Sequence, residues 1–109
     1  MKFLTISTIK DTFSTCPPAI QRQLMEATLA MMDEQKKRGK LLEAYEAPDA
    51  CIVISESPSA EDLIQTQAAI PMGGFLDFEV YPLADFHKAM QAFIAACKQA
   101  EKMFPSPPK

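Results

Sequence analysis

The 109-residue sequence predicts an α+β fold with the element order βαββαβ and an added C-terminal helix. Three features carry that prediction. Four short segments are rich in β-branched and aromatic residues, as strands are. A long stretch after the first of them and another after the last repeat apolar residues at spacings of three and four, the period of a helix with one buried face. A turn of only three residues, Ala47-Pro48-Asp49, joins the second and third strand segments into a hairpin.

The first strand covers residues 2–9. Leu4, Ile6 and Thr8 alternate with Phe3, Thr5, Ser7 and Ile9, so the two sets point to opposite sides. The first long helix runs from about Pro18 to Arg38. Pro17-Pro18 suits a first helical turn, with Thr15 or Cys16 at the capping position. Ile20, Leu24, Ala27 and Met31 form its apolar stripe. Lys36-Lys37-Arg38 favour the negative end of the helix dipole, and Gly39 supplies a left-handed stop. Residues 40–46 read as a strand in which Leu41, Glu43 and Tyr45 share one face. The apolar run Ala50–Glu56 reads as an interior strand.

The second helix opens at Ser59, which with Asp62 resembles a capping box, and runs to about Ala69. Ile70-Pro71-Met72-Gly73-Gly74 reads as the most flexible stretch. A fourth strand spans Phe75–Tyr81 and stops at Pro82. The last helix covers about Leu83 to Phe104. Its residues Leu83, Phe86, Met90, Phe93, Cys97, Ala100 and Phe104 fit either a helix packed on its own sheet or a coiled-coil seam. Residues 1–104 thus form one domain, and 105–109, rich in proline, a disordered tail.

This order is the split βαβ, or ferredoxin-like, arrangement, with both crossover helices on one face of an antiparallel sheet. The other face has to be covered. On this reading strand one offers it Phe3, Thr5, Ser7 and Ile9, too apolar to leave wet. A second copy packed sheet to sheet would cover it and close a barrel, so a homodimer is expected.

Bulk properties exclude several functions. The net charge of −3 and a pI near 5.1 argue against nucleic-acid and anionic-membrane partners. Cys16, Cys51 and Cys97 are far apart, with no CxxC and one histidine in the chain, so no zinc site is expected. Thiols without a disulfide framework fit a reducing, cytoplasmic setting. The N-terminal run is laced with Ser and Thr and lacks a small-residue cleavage site, so it reads as a strand rather than a signal peptide. No apolar stretch approaches a membrane span.

Asp77 and Glu79 are the leading candidates for chemistry. They alternate with Leu76, Phe78 and Val80, which puts both on the face away from the helices. Two carboxylates confined in a cavity repel, and burial raises at least one pKa, so one acts as a general base beside a carbonyl. Solvated at a rim, or paired with Lys2 or Lys40, they would be structural. Tyr45 is placed to polarise a substrate carbonyl, or to anchor the dimer. Ser7, Thr5, Glu43 and Phe75 are candidate ligand contacts in the same cavity.

The stretch Ile70–Leu83, with Leu76-Asp77-Phe78-Glu79-Val80 after a proline-containing loop, resembles the end of the muconolactone isomerase family. Ser55–Leu63 is similar to that family's entry into its second helix, and Lys37-Arg38-Gly39 to its first helix end. The resemblance covers roughly residues 37–83. It implies a dimeric α/β barrel and a cofactor-independent isomerisation that moves a proton next to a carbonyl. After the first helix the family carries aromatic, Arg and His residues, whereas this chain reads Lys40-Leu41-Leu42-Glu43-Ala44-Tyr45-Glu46. An anionic lactone would therefore find no Arg or His on that strand. Three roles follow: an isomerase for a small carbonyl compound or lactone, a small-ligand binding protein with the same cavity, or an interaction module built on the last helix.

Overall fold

In the computed structural model, which describes residues 1–104, the chain folds as β1 (Lys2–Ile9), α1 (Asp11–Ser14), α2 (Pro18–Lys37), β2 (Leu41–Glu46), β3 (Cys51–Glu56), α3 (Ala60–Ala68), a 3₁₀ turn (Gly73–Phe75), β4 (Leu76–Leu83) and α4 (Phe86–Met103). The strands form one antiparallel sheet in the order β2-β3-β1-β4. This is the ferredoxin-like α+β arrangement. The tail expected at 105–109 lies outside the described residues. No helix is long and apolar enough to cross a membrane among the residues described.

Several expectations are corrected. The short helix α1 was not foreseen; it seats Phe13, which is buried and meets Phe75 edge to face at 5.6 Å between ring centroids. Neither Thr15 nor Cys16 caps α2: its N-cap is Pro17, without a side-chain cap. Ser59 does cap α3, its hydroxyl accepting from the Asp62 amide at 3.2 Å. Gly39 adopts φ +74° and ends α2. Pro82 does not end β4, which continues to Leu83, because β4 is an edge strand and an edge tolerates a missing amide donor.

The largest correction concerns the faces of the sheet. Phe3, Thr5 and Ser7 are buried under the helices, not on the free face. Strand pairing joins Phe3 to Ser55, Thr5 to Val53 and Val80, and Ser7 to Cys51 and Phe78 on the helix side. The free face carries the complementary set: Leu4, Ile6 and Thr8, with Ile52, Ile54, Asp77, Glu79 and Tyr81. Leu41 does not share a face with Glu43 and Tyr45. A register shift between Leu41 and Glu43 acts as a bulge, leaving Leu41 opposite Ser55 and Glu43 opposite Ile54.

Candidate functional site

Strand β1 places small hydroxyl side chains where a core would normally hold large apolar ones. Phe3 fills its position, at 1% exposure. The next two helix-facing residues are Thr5 and Ser7, and the neighbouring strand adds Ser55 and Cys51. Small residues under a helix layer leave space unless the helices move inward. Helix α2 does not: it has no buried residue. Its half-buried positions are Gln21, Leu24, Thr28, Met31, Met32 and Gln35. This inner face is turned from the predicted stripe, leaving Ile20 and Ala27 exposed.

The result is a cavity of about 950 Å³ between α2, α3 and the sheet. Met25, Met31, Met32, Met72, Leu76 and Phe78 are among the residues of its apolar lining, with Ile9, Leu41, Val53, Leu63 and Ile70. Thioether side chains adapt their shape, so such a wall accommodates varied ligands. The neutral polar lining includes Thr5 and Ser7 from β1, Ser55 from β3, Thr28 and Gln35 from α2 and Gln67 from α3, and the charged residues Lys40, Glu46, Asp49, Glu56 and Asp62 also line the cavity. Gln67 Nε2 donates to Thr5 Oγ1 at 2.8 Å, a buried bond that ties α3 to β1. The Met72 amide donates to Thr28 Oγ1 at 3.3 Å. Two buried atoms remain without a partner among the described residues, Gln35 Oε1 and Ser55 Oγ. Buried polar atoms are nearly always paired, so two orphans on residues that line one cavity are exceptions that call for an explanation.

Cys51 also lines this cavity. Burial pushes its thiol above the ordinary range, and the nearby Glu46 carboxylate pushes in the same direction. It is held as a neutral thiol, a weak donor rather than a nucleophile.

The predicted site residues therefore divide between two faces. Thr5 and Ser7 line the helix-side cavity. Asp77, Glu79, Glu43 and Tyr45 stand on the free face, so the expectation of one shared cavity is corrected. Phe75 sits in the 3₁₀ turn against Phe13 and is not among the cavity-lining residues. Both candidate acids are exposed rather than buried within one protomer. Asp77 pairs with Lys10 at 3.7 Å rather than with Lys2 or Lys40. Glu79 accepts from Tyr81 Oη at 2.9 Å, which raises the Tyr81 pKa above its ordinary value. Tyr45 Oη donates to Glu43 at 3.3 Å.

Strand register arranges the free face in two rows. One reads Tyr45, Ile52, Ile6, Glu79 across β2, β3, β1 and β4; the next reads Glu43, Ile54, Leu4, Tyr81. Tyr45 and Glu79 lie at opposite edges of the sheet, roughly 14 Å apart at normal strand spacing. The three predicted catalytic residues are thus not brought together in one protomer.

The residues that sequence reasoning missed are Gln35, Thr28, Ser55 and Gln67. A signal was present. Thr28, Met32 and Gln35 follow helical spacing, and a search for apolar residues alone passes over two of them.

A family model described as a domain of unknown function, DUF3303, matches residues 1–96. No curated protein matches the chain by sequence. Among solved structures, a muconolactone isomerase superposes with a TM-score of 0.69 at 24% identity, covering 78% of this chain and 90% of its own. The 5-chloro-2-hydroxyhydroquinone dehydrochlorinase of Burkholderia phenoliruptrix AC1100, in complex with 2,5-dihydroxybenzoquinone, superposes with a TM-score of 0.58 at 16% identity, covering 81% and 98%. At these identities the likeness is one of fold.

Proposed function

This chain belongs to the DUF3303 family, and we propose that it binds a small oxygenated organic molecule in the helix-side cavity. One observation carries the reading: about 950 Å³ of methionine-lined space whose walls include Gln35 and Ser55, each with a buried oxygen, Oε1 and Oγ, that has no partner among the described residues. Gln35 Oε1 accepts only, so the ligand presents a hydroxyl or N–H there. Ser55 and Ser7 hydroxyls donate equally well to a carbonyl. A hydroxylated ring carbonyl compound satisfies both ends. Ring carbonyl compounds are named for the two structural neighbours, a lactone for one and a dihydroxybenzoquinone for the other, the second also hydroxylated. In this reading the site needs neither metal nor organic cofactor, and the three free thiols suit the reducing interior of a cell.

The second element of the proposal is a homodimer formed through the free sheet face. Its two rows are self-complementary. A two-fold axis lying in the interface, either along or across the strands, sets every tyrosine of one copy opposite a glutamate of the other. Ile6, Ile52, Ile54 and Leu4 then meet at the centre. In that arrangement an edge of the barrel assembles Tyr45 with Glu79 or Glu43 from two copies. This favours a second reading, an isomerase in which Asp77 or Glu79 carries a proton and Tyr45 polarises a carbonyl. Glu79→Gln then abolishes turnover of a substrate held between the two copies, while binding in the helix-side cavity is unchanged.

The binding reading is tested by native mass spectrometry of the purified protein, followed by calorimetry with 2,5-dihydroxybenzoquinone as probe. A retained small molecule, or probe binding weakened at least ten-fold by Gln35→Leu, supports it. Binding that is indifferent to Gln35→Leu and Ser55→Ala places the ligand elsewhere and overturns the assignment.

A further inference from the structure

Helix α4 leaves the domain instead of packing on it. None of its residues is buried, and no side-chain hydrogen bond or ion pair ties it to another element among the described residues. The protomer measures 71 × 30 × 22 Å, with a radius of gyration of 20.0 Å, against about 13 Å for a compact chain of this length. Yet α4 is strongly amphipathic. Phe86, Phe93 and Phe104 are 78%, 63% and 76% exposed, and Met90, Ile94 and Met103 are exposed beside them. Covering these six side chains would bury roughly 700 Å² of apolar surface per protomer, close to the about 800 Å² per partner of a specific interface.

The stripe is too broad for a simple two-helix seam. Beside the seam positions Phe86, Met90, Phe93 and Cys97, four of the six flanking positions hold apolar residues, Ala89, Ile94, Ala96 and Met103, and the other two hold His87 and Glu101. A helix apolar over that width sits in a groove. The body offers one. Between α3 and edge strand β4 lies a mostly apolar depression of about 430 Å³, lined by Ile64, Gln67, Ala68, Gly73, Phe78 and Val80. The small side chain of Ala68 lets a second helix approach closely, while Gly73 makes room for α3 itself, since a Cβ there would meet the Gln67 carbonyl oxygen at 2.9 Å. Charge agrees: α3 carries Glu61 and Asp62 with no basic residue, while α4 carries Lys88, Lys98 and Lys102 against Glu101 alone.

We propose that α4 docks in trans, lying antiparallel to α3 in the α3–β4 groove of a second copy of this chain. Phe93 and Ile94 sit level with Ile64 and Ala68, and Lys98 and Lys102 pair with the second copy's acidic α3 N-terminus. This contact lies away from the free sheet face; it adjoins the ligand cavity, with which the groove shares Gln67 and Phe78, but does not rest on the binding assignment.

The test is carbodiimide cross-linking of an equimolar mixture of ¹⁵N-labelled and unlabelled chains, denatured together and refolded. Links between Lys98 or Lys102 and Glu61 or Asp62 are expected, with roughly half of them mixed-isotope, as exchange between copies requires. Phe93→Asp and Ile64→Asp, both at exposed positions, are each expected to reduce the mixed links at least ten-fold while the circular dichroism spectrum is kept. Same-isotope links alone mean that α4 folds back on its own chain. Mixed Lys98–Glu101 links in place of the α3 links mean that α4 pairs with α4. Either result overturns the proposal, as does absence of the α3 links.

Discussion

At the scale of single residues, the polar groups under the helix layer fall into two energetic classes. Thr5 and Gln67 share a buried hydrogen bond of 2.8 Å. Thr5→Val strands the Gln67 amide, and a cost of about 1–3 kcal/mol is expected in urea unfolding. Ser55 and Gln35 carry atoms with no such bond among the described residues. Ser55→Ala removes a desolvated hydroxyl and its unmet demand, so stability of the ligand-free protein is expected to hold or rise by about 1 kcal/mol, while ligand affinity falls. Equal destabilisation by Thr5→Val and Ser55→Ala would contradict this division. Cys51 gives a pH signature. Its thiolate is disfavoured by burial and by Glu46, so alkylation of Cys51 is expected to lag that of exposed Cys97 and to accelerate only above the ordinary thiol range. The sign for stability follows from the raised pKa. The contribution is fully present below the ordinary thiol value and is lost as pH rises through the raised one. Ligand in the cavity is expected to slow the Cys51 reaction further.

At the scale of elements, boundaries set by local chemistry were legible in the sequence. Gly39 reads as a helix stop and adopts φ +74°; Gly39→Ala is expected to cost about 1–2 kcal/mol, the penalty of a left-handed alanine, measured as a shift in the unfolding midpoint at constant m-value. The Ser59 cap and the β2–β3 hairpin were equally readable, because caps and turns depend on a few adjacent residues. What local patterns did not disclose was orientation. Alternation along β1 separates Phe3, Thr5 and Ser7 from Leu4, Ile6 and Thr8, and both sets hold apolar and hydroxyl residues. Which set lies under the helices is decided by crossover geometry. The same limit applies to α2, whose inner face includes Gln21, Thr28 and Gln35, polar residues that an apolar stripe leaves out. The bulge between Leu41 and Glu43 likewise arises from pairing with β3.

At the scale of the whole molecule, two large surfaces stay uncovered in a single chain: the free sheet face, and α4 with its candidate groove. The face has an isoleucine and leucine centre between two Tyr–Glu edges, so a single charge at its middle is expected to be disruptive. In the Phe93→Asp background, where α4 no longer links copies, Ile52→Asp is predicted to convert the proposed face-paired dimer to a monomer of half the mass in light scattering. Retention of the Phe93→Asp mass would show that copies do not meet through this face. Ile52→Asp alone is predicted to leave the α4-dependent cross-links in place, and Phe93→Asp alone to remove them. A protomer extended over 71 Å with few fully buried large side chains is modestly stable alone, so its unfolding midpoint is expected to rise with protein concentration.

The sequence by itself determined the number and order of strands and long helices, the helix stop at Gly39, the α3 cap, and the placement of Asp77 and Glu79 on the face away from the helices. Those follow from periodicity and from residues whose conformational preferences act within a few positions. Tertiary structure alone decided that Thr5, Ser7, Ser55 and Gln35 surround one cavity, and that Tyr45 and Glu79 stand at opposite sheet edges. It also decided that α4 extends away from its own sheet. These are relations between residues far apart in the chain, and side-chain periodicity carries no term for how wide a gap the packed layers leave between them.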